Sequence, residues 1–226
     1  MKNVFPIILL SALLSVTGTI KAQTNTKSFQ GTITFSIAPV GTVDAALAAQ
    51  LPKSSTMSVK DTKSKKETAQ GPAVITEITD ATTKIYTILL DIPTGKYCIK
   101  LTEDSIRKGL AKKMTITAKF MDSTKVIAGY TCKKAVLTFK DVDGTENNET
   151  VFYTEEIGGK DFNYNNEYYL IPGLMMEYVK NTGMDITLKY TASEVKKGKI
   201  SDKIFMTPAD FKELTPEEAK KILGGD

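Results

Sequence analysis

From Gln30 to Pro39 the chain alternates with a period of two: Ile33, Phe35 and Ile37 fall on one side, Thr32, Thr34 and Ser36 on the other. Successive side chains of a strand point to opposite faces, so this pattern writes a strand with one buried face. Further runs of strand length follow: Met57–Asp61, Glu67–Gln70, Ala73–Thr79, Lys84–Ile92, Lys96–Leu101, Met114–Met121, Val126–Lys140, Thr150–Glu155, Tyr168–Lys180 and Asp185–Val195. Thr94-Gly95, Asp141-Val142-Asp143-Gly144 and Asn181-Thr182-Gly183 supply turn chemistry between neighbouring runs. Helical signals are few. Val43–Leu51 is alanine-rich, with Asp44 near its start and Pro52 closing it. Near the C-terminus, Thr215-Pro216-Glu217-Glu218 reads as a cap ahead of a narrow stripe of Ala219, Ile222 and Leu223. The segment Glu103–Lys112 carries no decisive pattern. About nine to eleven strands whose edges must be closed or covered predict a mainly β fold. The expected form is a single curved antiparallel sheet or open half-barrel with two or three short helices.

The first 22 residues have the grammar of a cleaved secretory signal. Lys2 is a positive start, Val4–Val16 an apolar run, and Thr17–Ala22 a more polar end before Gln23. The apolar run is shorter than the roughly 20 residues a membrane-spanning helix needs. Cleavage after Ala22 leaves residues 23–226 as one β-rich domain, with no membrane span, in the periplasm or outside the cell. The first cysteine is Cys98, so the mature N-terminus is not expected to be lipid-modified. Two cysteines in an exported chain predict a disulfide, Cys98 to Cys132. It would close a loop of about 35 residues, worth roughly 3–4 kcal/mol.

The formal charge of +4 falls to about +2 once Lys2 and Lys21 are removed. That modest excess contains no dense basic patch of the kind nucleic acid selects. Lysines gather at Lys53–Lys66 and Lys196–Lys203. Solvated strand edges and turns account for both groups; contact with anionic headgroups is the other reading.

The chain has no histidine. Its absence removes Ser–His and Cys–His nucleophile pairs and the commonest transition-metal ligand. No glycine-rich phosphate loop and no G-x-S-x-G elbow occurs, and no metal or cofactor is implied. Asp141-Val142-Asp143-Gly144 with Glu146 and Glu149 is read as a hairpin turn, since it lacks the ligand spacing of a calcium loop. Glu155 and Glu156 are adjacent, and in a strand they would point to opposite faces. The expectation is therefore not an enzyme; a hydrolase using carboxylates from distant positions is the alternative.

Three pieces identify the chain. They are Gly129-Tyr130-Thr131-Cys132-Lys133-Lys134-Ala135, Tyr153-Thr154-Glu155-Glu156-Ile157 and Pro172-Gly173-Leu174-Met175-Met176-Glu177-Tyr178. Together they resemble an uncharacterised family of exported bacterial envelope proteins, a domain-of-unknown-function family related to the GLPGLI family. The chain departs from the latter at the corner that names it, here Leu170-Ile171-Pro172-Gly173-Leu174-Met175. The resemblance implies a fold similar to the lipoprotein carriers LolA and LolB, curved half-barrels whose concave apolar face accepts acyl chains.

Tyr164, Tyr168, Tyr169 and Tyr178 cluster with Leu170, Ile171, Leu174, Met175 and Met176. That composition suits an ordinary core and an adaptable apolar pocket alike. Two functional readings follow. In the first, the protein binds or carries a lipid or other apolar ligand in the concave face. Tyr130, Phe139, Tyr153, Leu174, Met176 and Tyr178 would line it, with the Val43–Leu51 helix as a lid. In the second, it is an envelope structural or interaction module without a small ligand, meeting a protein partner through strand edges or the Lys53–Lys66 region.

Overall fold

The computed structural model describes residues 28–182 and 186–222. The expected signal segment, the glycine of the Asn181–Gly183 turn and Leu223 lie outside them. Twelve strands are described: β1 (Gln30–Pro39), β2 (Ser54–Lys60), β3 (Lys63–Gln70), β4 (Ala73–Asp80), β5 (Ile85–Ile92), β6 (Gly95–Thr102), β7 (Met114–Ile127), β8 (Tyr130–Asp141), β9 (Glu146–Thr154), β10 (Leu174–Asn181), β11 (Thr187–Lys197) and β12 (Lys212–Leu214). The helices are α1 (Ala45–Gln50), α2 (Glu103–Ala111) and α3 (Pro216–Ile222), with a 3₁₀ turn at Asp202–Phe205. All twelve strands join one sheet in the order β12-β6-β5-β4-β3-β2-β1-β11-β10-β9-β8-β7. Every pairing is antiparallel except β12 with β6. The expected mainly β, curved and unclosed sheet is what forms. No helix among the described residues is long and apolar enough to cross a membrane.

Connection length forces the curvature. In a flat sheet the ten spacings from β6 to β7 would separate them by about 48 Å. The link between them is essentially α2, whose nine residues span about 13 Å. The sheet must curl until its two ends approach, and α2 touches both β6 and β7. The undecided Glu103–Lys112 segment is this helix. Thr102 caps it: the Ser105 N–H donates to Thr102 Oγ1 (3.3 Å) while Ser105 Oγ accepts from the Thr102 N–H (3.2 Å).

Inside the curl lies a large core. Ile33, Phe35, Val59, Ala135, Leu137, Val151 and Met176 are completely shielded from solvent. The alternation read for Gln30–Pro39 buries Ile33, Phe35 and Ile37 as expected. Two runs divide differently from the sequence reading. Val126–Lys140 is broken by a two-residue hairpin at Ala128-Gly129, both with positive φ (47° and 84°). That is the handedness a tight antiparallel connection requires, and Gly129 supplies half of it without steric cost. Tyr168–Lys180 is strand only from Leu174 onward. Its first part belongs to a long connection, residues 155–173, that crosses the inside of the curl.

The C-terminal segment wraps the other end of the sheet. Neighbours Leu89 and Leu90 point to opposite faces of β5. Leu89 packs with Ile78, Cys98, Phe205 and Phe211 on the outer face; Leu90 packs with Ile99, Leu214 and Ala219 on the inner one. The chain therefore runs outside β2–β6, fixed by Lys60 to Asp202 (2.6 Å), adds β12 at the edge and folds α3 back inside. Thr215 and Glu218 form the expected cap of α3 by reciprocal hydrogen bonds (2.8 and 3.2 Å).

The expected disulfide is absent: Cys98 and Cys132 are both free and buried. Cys98 lies on β6 and Cys132 on β8, with eight strands between them in the sheet order. Two cysteines can bridge only when their Cα atoms lie within about 7 Å. Each packs instead in its own apolar cluster, and burial pushes the Cys132 thiol up to about 11.

Candidate functional site

The inside of the curl is mostly filled, and the 155–173 connection fills it. It leaves β9 and returns to the adjacent β10, crossing on the way to β4 and β5. There the Tyr164 hydroxyl donates to the Ile85 carbonyl (2.5 Å) and accepts from the Asp80 N–H (3.4 Å), while Lys84 pairs with Asp161 (3.3 Å). Burial pushes the Tyr164 phenol up to about 12. Asn163 ties the returning chain by donating to the carbonyls of Ile171 and Gly173 (both 2.8 Å). Gly173 sits at φ +77°, where a Cβ would lie 2.2 Å from the Thr154 carbonyl oxygen; only glycine passes there. Arg107 of α2 stacks on Tyr169 from the other side, 3.3 Å from its ring centre. The interior is covered by this connection, not by α1. None of the residues of α1 is buried, although Leu51 and Pro52 just after it are.

An aromatic row runs from the connection into the sheet. Phe139 meets Tyr168 edge-on (5.9 Å), Tyr168 meets Tyr178 (5.9 Å), and Tyr178 stacks flat on Tyr190 (5.0 Å, 7°). The Tyr168 hydroxyl lies between the Glu149 carboxylate (2.6 Å) and the Val179 carbonyl. Burial raises both that phenol and the Glu149 carboxyl above their ordinary values.

At the end of this row the apolar interior becomes ionic. Ser64 and Lys66 of β3, Glu77 and Thr79 of β4, and Tyr86 of β5 share the inner face through the strand register. Lys66 faces Glu77 at 3.8 Å, donates to the Tyr178 hydroxyl (3.3 Å) and lies over the Tyr190 ring (4.5 Å). Tyr86 donates to Glu77. Burial alone would raise the Glu77 carboxyl, but Lys66, Lys180 and the Tyr86 hydrogen bond outweigh it and hold the group below its ordinary value. Burial and the Glu77 charge push Tyr86 well up. Lys66 thus departs from the solvated edge expected for the Lys53–Lys66 region: it is only 8% exposed.

Two openings flank this ionic wall and share Lys66, Glu77 and Lys180 as lining. One, of about 90 Å³, lies under Asn163, Asn166, Glu167 and Tyr168. The other, of about 280 Å³, is lined by the apolar Leu51, Pro52, Ile75, Leu188 and Tyr190 and by polar residues that include Thr68 and Gln70. A third opening is larger and lies elsewhere. It is a cleft of about 1020 Å³ bordered by Phe29, Tyr130, Thr131, Lys133, Glu155, Glu156 and Lys197. Glu155 and Glu156 lie in the turn just past the end of β9. They therefore share one cleft instead of opposing one another across a strand. Glu155 is paired with Lys133 (2.8 Å), and among the described residues the buried Tyr130 hydroxyl has no hydrogen-bond partner. Asp141–Gly144 forms the expected hairpin turn, in which Asp143 accepts from the Thr145 N–H (2.9 Å).

The six residues read as pocket lining are divided by the fold. Leu174 and Tyr178 line the 90 Å³ opening, and Tyr130 lines the outer cleft. Phe139, Tyr153 and Met176 are core. Sequence reading missed Lys66, Glu77, Tyr86 and Lys180, because β3 is polar on both faces and its periodicity marks no inward side. The three identifying pieces do meet: Lys133 pairs with Tyr153, Thr154 with Leu174, and the Leu174 N–H donates to the Ile157 carbonyl (3.0 Å). No family model matches the chain, and no curated protein matches it at a significant level.

Proposed function

We propose that this is an exported binding protein that holds a small, apolar-bodied molecule inside the curl of its sheet. The observation that carries the reading is the ionic wall of Lys66, Glu77 and Lys180 set between two openings in an otherwise filled core. Taking charges out of water costs several kcal/mol per ion, and apolar side chains of like volume would serve stability at least as well. Polar groups converging on an apolar recess are the usual composition of a ligand site. An opening of about 280 Å³ falls just below the usual span of such sites, roughly 300–1,000 Å³. The likeness to acyl-chain carriers enters only as analogy of fold, and the occupant fitting this space is smaller than a two-chain lipid.

The test is saturable binding of a neutral apolar fluorophore, N-phenyl-1-naphthylamine, to the protein and to Thr68→Trp. Thr68 lines the larger opening, and an indole there fills it. Single-site binding to the native protein, lost in the variant, is the expected result. Absence of saturable binding, or binding indifferent to Thr68→Trp, overturns the reading.

A second reading, an envelope interaction module, draws on β7. This fourteen-residue edge strand leaves Phe120, Met121 and Val126 exposed (52%, 37% and 70%). An uncovered edge of that length can accept an added strand from an envelope protein. Cross-linking in cells from a photoreactive residue at position 126 would recover such a partner reproducibly; recovery of none sinks this reading.

A further inference from the structure

Lys66 and Lys180 line the same two openings, yet their ammonium groups are differently committed. Lys66 is engaged by Glu77, the Tyr178 hydroxyl and the Tyr190 ring. The Lys180 ammonium has neither a hydrogen bond nor an ion pair within 4 Å among the described residues. Its place on the inner face is fixed by register: Tyr178 and Lys180 are two apart on β10, opposite Tyr190 and Leu188 of β11. A lysine therefore stands in a row that is otherwise aromatic and aliphatic. Glu77 acts on it from a distance and raises its pKa, so the side chain stays charged. An ammonium carries three donors, and a partly buried one without an acceptor is a standing cost.

Resting on the small-molecule reading above, we infer that the ligand is a monocarboxylate whose head meets Lys180 and whose short apolar body lies against Leu51, Ile75, Leu188 and Tyr190. The walls determine the body: Leu188 and Leu51 are buried, and the Tyr190 ring is held flat by Tyr178. The neighbouring charges determine the head. One uncommitted cation is available, with Glu77 and Glu167 close by. A singly charged head pairs with that ammonium with the least repulsion from those two carboxylates, whereas a doubly charged head doubles the repulsion. A charge-assisted hydrogen bond between ammonium and carboxylate is among the stronger polar contacts available.

Calorimetric titration with four probes of equal chain length separates the possibilities: octanoate, 1-octanol, octylamine and octyl phosphate. Octanoate should bind the wild-type chain at least about tenfold more tightly than octanol. Octylamine and octyl phosphate should be weaker than octanoate. Lys180→Met should abolish the preference for octanoate over octanol, Lys180→Arg should keep it, and Lys60→Met, on the outer face, should leave it unchanged. The wild-type ranking needs no variant to fold. Octanol binding as tightly as octanoate, or a preference that survives Lys180→Met, overturns the acid assignment and leaves the small-molecule reading standing. Tighter binding of octyl phosphate overturns the monocarboxylate class. If none of the four saturates, both the inference and the reading beneath it fall.

Discussion

Glutamine at position 77 keeps the shape of the side chain and removes its charge. In the native protein the carboxylate faces Lys66 at 3.8 Å, accepts from Tyr86 and lies near Lys180. At about 4 Å and an effective dielectric of about 20, one ion pair is worth roughly 4 kcal/mol before desolvation. The side chain is 22% exposed, so solvent screens part of this. A neutral amide also no longer pays a carboxylate's desolvation, which returns part of the loss. Against that, Glu77→Gln takes from Lys66 its 3.8 Å partner and leaves Lys180 with Glu167 as its remaining counter-charge. The net expectation is a loss of about 2–3 kcal/mol, a fall of about 1–1.5 M in the urea midpoint for a slope near 2 kcal/mol/M. The pH dependence identifies the cause. Because Glu77 is held below its ordinary value, its contribution is fully present above about pH 5 and is lost as pH falls through the lowered native value. The gap between wild type and variant should therefore be widest near pH 7 and narrow towards pH 3. Lys66→Met combined with Glu77→Gln should cost less than the two changes added. A loss below about 0.5 kcal/mol, or a gap that does not change with pH, would refute the reasoning.

Further outcomes follow from single positions. Gly173→Ala must carry a left-handed residue, at about 1–2 kcal/mol, and push the Thr154 carbonyl away; urea unfolding should show a loss of about 3 kcal/mol. Ala128→Asn places the side-chain-bearing residue that best tolerates positive φ beside Gly129, and should raise the melting temperature by a few degrees. Leu137→Ala empties a fully buried position and should cost about 2–5 kcal/mol by the same unfolding measurement. Thiol titration should count two free cysteines in the non-reduced, denatured chain, and reductant should not move the unfolding midpoint. Cys132, its thiol pushed up to about 11, should resist alkylation at pH 8 until the protein unfolds.

Local rules made most of the sheet legible. The Gln30–Pro39 alternation and the Asp141–Gly144 turn each act within a few residues and appear where those rules place them, and the Thr94-Gly95 signal is one residue off, since Pro93-Thr94 make the turn and Gly95 already pairs with Ile92. The α2 helix was also written in the chain, in Thr102, Ser105 and the first-turn acids Glu103 and Asp104, but Ile106 and Leu110 are too short an apolar stripe to announce it. The pairing of Cys98 with Cys132 failed because export and an even count say nothing about distance across a sheet. The 155–173 connection failed for a different reason. Phe162, Asn163, Tyr164, Tyr168 and Ile171 are all buried, yet they follow neither a period of two nor of 3.6. They are spaced to reach β4, β5 and β10, and that spacing exists only once the sheet has curled.

The ionic wall was hidden by the same dependence on curvature. In β3, Lys63, Lys65 and Glu67 alternate with Ser64, Lys66 and Thr68, so both faces are polar and the sequence offers no inward side. Pairing to β4 decides it, because Ser64 and Lys66 stand opposite Thr79 and Glu77. The curl then sets Glu77 against the inner face of β10 and Lys180. Charges that would be ordinary surface on a flat sheet become half-buried neighbours in a curled one. A strand polar on both faces gains little from apolar burial, so its inward charges cost the fold more than they return unless something else uses them. That imbalance supports the proposed binding site more directly than the apolar residues do, since Phe139, Tyr153 and Met176 are fully accounted for as core. A variant with Lys66, Glu77 and Lys180 replaced together by Met, Leu and Met should be at least as stable as the wild type. It should also lose the discrimination between octanoate and octanol. Greater stability with unchanged discrimination would place the ligand elsewhere, and the outer cleft at Tyr130 would be the place to look.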